Sequence, residues 1–178
     1  MLPFFITFIK NKIESFMKLL LCITSIMLTN NALCEILNSD QEAYNFCISH
    51  PHSYIVIVWP IAQGKDKEIK KICAAYGLIH YEKRVYLSQE QAYYLLKKVH
   101  PHIADINEHV TWYFPDNTFK KKARIFVFTC LDHSQVVACK YAIRRLFKLQ
   151  YRSIHINDTH AETLELAKFF LCDNLSIL

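Results

Sequence analysis

The sequence predicts a single α/β domain in which about four strands alternate with helices, the strands forming a mostly parallel or mixed sheet. Three observations carry that expectation. Residues 54–59 and 124–130 are almost unbroken apolar, β-branched runs, the pattern of strands covered on both faces. Ser39-Asp40-Gln41-Glu42, Ser88-Gln89-Glu90-Gln91 and Thr159-His160-Ala161-Glu162 each have the form of a capping box, which marks a helix start. Apolar residues at helical spacing follow the strand-like runs, so the two patterns take turns along the chain.

The first helix opens at Ser39, places Ala43, Phe46 and Cys47 on one face, and ends at Pro51. Residues 54–59 are expected at the centre of the sheet. Ile69, Ile72, Cys73 and Tyr76 mark one face of a helix starting near Lys65, with Gly77 where a left-handed C-terminal cap belongs. Residues 78–87 read as a strand bent around positions 82–84. The helix from Ser88 presents Ala92, Leu95, Leu96 and Val99 and stops before Pro101. Residues 102–122 show no sustained period and contain the turn signal Pro115-Asp116-Asn117, so a long loop is expected there. Residues 124–130 lead into a helix from about Ser134 with Val136, Cys139, Ile143, Leu146 and Phe147 inward. Residues 152–156 form the last strand, and Thr159 opens a helix carrying Leu164, Ala167 and Leu171 on one face.

The first 34 residues read as targeting rather than fold. From Met17, a second candidate start, one positive residue (Lys18) precedes an apolar run at 19–28 and a polar stretch ending Asn31-Ala32-Leu33-Cys34. Ala32 and Cys34 occupy the small-residue positions of a secretory cleavage site. The expected organisation is a signal segment at 1–34 and one α/β domain at 35–178, in a secreted or periplasmic protein. A membrane anchor is the rival, but Lys10, Lys12, Glu14 and Lys18 break the apolar stretches below spanning length. Contact with a membrane is therefore expected only through the signal segment, if it stays uncleaved.

Cleavage after Cys34 removes Cys22 and Cys34 and leaves five of the seven cysteines, an odd number without Cys-x-x-Cys spacing. Most lie in apolar runs and read as small core residues. The net charge of +5 is dispersed in short groups (Lys120, Lys121, Lys122 and Arg124; Arg144, Arg145, Lys148 and Arg152), and no ribonucleoprotein motif interleaves aromatics with them. Nucleic acid is set aside on that ground. With only Gly64 and Gly77 present, a P-loop and a dinucleotide fingerprint are excluded.

Chemistry-bearing residues concentrate at 153–163, where a strand passes into a helix and unpaired helix N–H groups favour anions. Capping accounts for Thr159 and Glu162, and Asp158 suits a helix N-terminus. His155 and His160 remain. Alternation puts Ile154 and Ile156 on one face of the strand and Ser153, His155 and Asn157 on the other, so both imidazoles are expected to converge with Asp158 orienting one of them. Thr159, Arg124 and Arg152 complete the candidate ligand set. His50-Pro51-His52 and His100-Pro101-His102 read as helix ends stopped by proline, and Asp132-His133-Ser134 as a helix cap, so no metal site or hydrolase triad is assigned.

The run Ser153-Ile-His155-Ile-Asn157-Asp158-Thr159-His160-Ala161-Glu162-Thr163 resembles a motif of a family of conserved bacterial proteins of unknown function, Ser-x-His-Ile-Asn-Asp-Thr-His-Glu-Glu-Thr. Residues 124–128 and the segments Tyr81-Glu82-Lys83 and Tyr86-Leu87 resemble further parts of it. Ala161 departs from the motif's glutamate. The resemblance implies domain boundaries and no reaction or cofactor.

The expected role is binding or processing of a phosphate-bearing or other anionic small molecule at the 153–163 junction. Turnover there would be phosphoryl transfer or hydrolysis, with His160 on the phosphate, His155 its partner, Asp158 orienting an imidazole, and Arg124 or Arg152 offsetting charge. The alternative is a non-enzymatic secreted domain that contacts a protein partner through the aromatic loop 109–119, with Trp112, Tyr113, Phe114 and Phe119.

Overall fold

Residues 36–102, 104–115, 121–149 and 152–172 are described by the computed structural model. They form α1 (Asp40–Ser49), β1 (Ser53–Val58), a 3₁₀ turn (Pro60–Ala62), α2 (Asp66–Tyr76), β2 (Leu78–Val85), α3 (Gln89–Val99), α4 (Ile106–Tyr113), β3 (Ala123–Thr129), α5 (His133–Leu146), β4 (Ile154–Ile156) and α6 (His160–Leu171). The expected signal segment, 1–34, lies outside the described residues. Among those described, no helix is long and apolar enough to cross a membrane.

The four strands stand in the order β2-β3-β1-β4, and every neighbouring pair is antiparallel. Ser53 faces Thr129 and Val58 faces Arg124 across β1 and β3, while Ile57 faces His155 across β1 and β4. The expectation of a mostly parallel or mixed sheet is therefore overturned. β1 and β2, joined through α2, do run in the same direction, but β3 is inserted between them. Likewise β3 and β4, joined through α5, are parted by β1. Each strand-helix-strand unit is split by a strand of the other unit running the opposite way, the ferredoxin-like arrangement.

Apolar runs that signalled two-sided cover were right about burial and misleading about direction. All six residues of β1 are buried. On one face Tyr54, Val56, Val58, Phe126, Phe128, Ile154 and Ile156 pack against Ile69 and Cys73 of α2 and Val136, Cys139 and Ile143 of α5. On the other, Ile55, Ile57, Ile125 and Val127 meet residues of α1, α3, α4 and α6, among them Phe46, Leu95, Leu96, Val110 and Phe170. An antiparallel sheet usually keeps one face wet. Here the helices outside the two split units, α1, α3, α4 and α6, cover the face that α2 and α5 leave open.

Local signals position the helices. Ser39 accepts from Glu42 N–H, and Ser88 with Gln91 closes a complete capping box. The expected long loop at 102–122 instead contains α4, capped by Asp105, whose side chain accepts from Glu108 N–H. Within it Tyr113, followed by Phe114, is buried, and both rings pack on Trp59 at centroid distances of 4.9 and 6.1 Å. The aromatic contact surface thereby loses two of its four rings to the core, and Phe119 lies outside the described residues. Gly77 ends α2 with extended backbone (φ 177°), not the expected left-handed cap. It is needed for space, since a Cβ there would stand 2.0 Å from the Thr129 carbonyl oxygen.

Candidate anion-binding site

The 153–163 segment is built as expected from alternation: Ile154 and Ile156 face α2 and α5, and His155, opposite Ile57, faces the other way. Its polar groups are then used up inside the fold. Asn157 is fully buried; its Oδ1 accepts from Ile55 N–H at 2.6 Å, and its Nδ2 donates to Thr159 O and Thr163 Oγ1 at 2.8 and 2.7 Å. Thr163 in turn donates to Ser53 O at 2.7 Å. Thr159 caps α6 by accepting from Glu162 N–H.

The expected convergence of His155 and His160 does not occur. His160 Nε2 donates to the Cys47 carbonyl at the end of α1, 2.9 Å away. His155 Nε2 donates to Glu162 Oε1 at 2.7 Å, and the ring that meets it edge-on is His100, 5.6 Å between centroids. Burial beside His155 pushes the His100 pKa down to about 4, so this imidazole is neutral at physiological pH. Burial would raise Glu162, but the hydrogen bond and charge of His155, helped by Asp158 N–H, leave its pKa lowered. Asp158 does not orient a ring; its carboxylate pairs with the buried Lys140 of α5 at 2.7 Å. Arg152 is half-buried in the turn before β4, where its N–H donates to Leu149 O. Among the described residues, no group of three or more His, Cys, Asp and Glu is placed to hold a metal ion.

Arg124 has a different setting. It lies in β3 opposite Val58 and Arg84, on the face of α2 and α5, with its guanidinium 5.5 Å from the centroid of the Phe126 ring. Its side chain is 5% exposed. Asp66 Oδ2, at the first turn of α2, comes within 2.6 Å of Nη1 and pairs with the guanidinium. Burial lowers the Arg124 pKa while Asp66 and Glu82 oppose the shift; a guanidinium keeps its charge throughout.

Arg124 belongs to the lining of a cavity of about 580 Å³ at the start of α2, together with Gln63, Gly64, Asp66, Lys67, Glu68, Arg84 and Lys122. Lys65, the residue before the helix, supplies no side-chain cap, so the first N–H groups of α2 are left to other acceptors. Gly64 turns the chain at φ 90° with open space where a side chain would stand. Gln63 donates to Lys122 O at 3.0 Å, tying this turn to the start of β3. Four cations and two carboxylates line the cavity, leaving a surplus of two positive charges. Planar N–H forks, open helix N–H groups and excess positive charge together recognise an oxyanion.

No protein-family model matches the chain. No curated protein matches it either. Geometry therefore carries the functional reading.

Of the residues singled out in the sequence, Arg124 alone reaches this cavity; His155, Asp158, Thr159 and His160 are bonded within the fold, and Arg152 lies in the turn before β4. Arg84, Asp66 and Gln63 were missed, and Lys122 was read only as a member of a dispersed basic group. The faint signal was Gly64 followed by Lys65, a flexible turn running into a helix without Ser, Thr, Asp or Asn at its cap.

Proposed function

We propose that the protein is an exported binding domain for a phosphate-bearing small molecule, held at the start of α2 by Arg124, Arg84, Lys122 and the helix N–H groups. One observation carries this reading: the guanidinium of Arg124, buried beside Asp66, belongs to the lining of a cavity whose cations outnumber its carboxylates by two. A phosphate oxygen is the natural partner for such a fork. The reading keeps the expected ligand chemistry and moves its place from the 153–163 junction to the far side of the sheet.

Thermal unfolding of the full chain against inorganic phosphate, sugar phosphates and nucleotides tests it. A ligand at ~100 times its Kd adds ~2.7 kcal/mol of stability. Arg124→Leu, which removes the buried charge and keeps apolar contact, is expected to abolish that shift. A shift that survives in Arg124→Leu, or none across the panel, sinks the proposal. Export is checked separately by N-terminal sequencing of the mature chain, expected to begin at Glu35.

A further inference from the structure

The cavity at the start of α2 is larger than a phosphate group needs. At about 580 Å³ it falls in the range that holds a whole small organic ligand, so an anion bound there has room for a body. Beside the cavity's Lys122 stands Tyr86. Its chain neighbours Val85 and Leu87 are both buried in the core on the side of α1, α3, α4 and α6. Alternation therefore turns Tyr86 to the face of α2 and α5, in line with Glu82 and Arg84. Lys122 Nζ lies 4.8 Å from the centroid of the Tyr86 ring. The residue is 58% exposed, and no other ring or cation among the described residues packs on it, so aromatic surface is open beside the cations. Two groups of the lining also keep acceptors for a ligand. Glu68 has no hydrogen bond or ion pair from its carboxylate among the described residues; Lys70 and Arg84 pair instead with Glu82 and Asp66. Gln63 donates through its amide nitrogen to Lys122 O, which leaves its amide oxygen to accept.

We propose that the ligand is a nucleoside monophosphate. Its phosphate lies among Arg124, Arg84 and Lys122, its ribose hydroxyls donate to Glu68, and its base stacks on Tyr86. The inference rests on the reading of this cavity as a phosphate site and adds the body of the ligand. Charge selects the monophosphate: a phosphate monoester carries about −1.5 to −2 at pH 7, which matches the surplus of two positive charges, and a longer phosphate chain would exceed it. Side chains do the holding, as a chain with two glycines requires, since no glycine-rich loop is there to wrap a phosphate. A carboxylate beside the sugar accepts from its hydroxyls, the role an acidic residue plays toward ribose in dinucleotide folds. Every base has a π-face, so Tyr86 responds to the presence of a base and not to its identity.

Calorimetric titration of the full chain with inorganic phosphate, ribose phosphate, deoxyadenosine monophosphate and adenosine monophosphate separates the parts. Adenosine monophosphate is expected to bind about tenfold more tightly than ribose phosphate, the effect of one base–aromatic stack. Tyr86→Ala, an exposed position whose loss leaves the core intact, should remove that advantage and leave ribose phosphate unchanged; Tyr86→Phe should keep it. Glu68→Gln should narrow the preference for the ribonucleotide over the deoxyribonucleotide, a ratio in which the variant's added positive charge cancels. Equal affinity for adenosine monophosphate and ribose phosphate, or an advantage that survives Tyr86→Ala, overturns the nucleotide and leaves the phosphate site standing. Absence of binding by all four ligands, inorganic phosphate included, overturns both.

Discussion

His100 sits half-buried between His155 and Tyr113, with His102 and His109 adding positive charge on protonation and Glu162 opposing it. Its folded pKa of about 4 lies below the ordinary 6.5, so the unfolded chain takes up a proton first. The contribution to stability is complete above pH 6.5 and drains away as pH falls toward 4, by at most about 3 kcal/mol. Glu162, lowered by its bond to His155, adds to the loss below the ordinary glutamate range. Urea unfolding at several pH values between 7 and 4 should show this slope, and His100→Gln should flatten it. Asp66 presents another residue-scale test. Its carboxylate touches both Arg124 and Arg84, so it stands where the proposed anion's charge would come. Asp66→Asn is expected to tighten phosphate binding by about tenfold, a 1.4 kcal/mol effect readable by calorimetry. At this scale the sequence exposed Arg124, a charge opening an apolar strand, and hid Arg84, which the sheet register sets opposite it, and Asp66, which the packing of α2 on the sheet brings to it.

Elements were legible where their signals are local. Ser39, Ser88 and Thr159 each accept from the N–H three residues on, because a capping side chain needs only its own first turn, but only Ser88 closes the reciprocal box its spacing implied. α4 escaped because eight residues make a weak period, although Asp105 with Ile106, Val110 and Tyr113 held its cap and its buried face. Polar residues concentrate at the junction between β4 and α6, and their bonds tie α6 to β1. Asn157→Leu would strand Ile55 N–H and Thr163 Oγ1 in the interior, at a cost of about 3 kcal/mol. A fall in the urea midpoint, with phosphate binding retained by the surviving folded fraction, is the expected result. Loss of binding at full stability would return the site to the junction.

Across the whole molecule, alternation of strands and helices, four strands and two-sided burial were all legible, whereas strand direction was not. Buried apolar runs look the same in a parallel sheet and in an antiparallel one with helices on both faces, and nothing in either split unit announces the strand that will part it. The order β2-β3-β1-β4 also sets a timetable. β1 ends at Val58, yet both of its neighbours, β3 and β4, begin only at Ala123 and Ile154. A growing chain has no partner for its central strand until most of the domain has left the ribosome, and sheets assembled from such distant segments close slowly. Delay of that kind leaves the apolar faces of β1 without cover while the rest of the domain is made, the interval in which an unpaired strand is open to association with other chains.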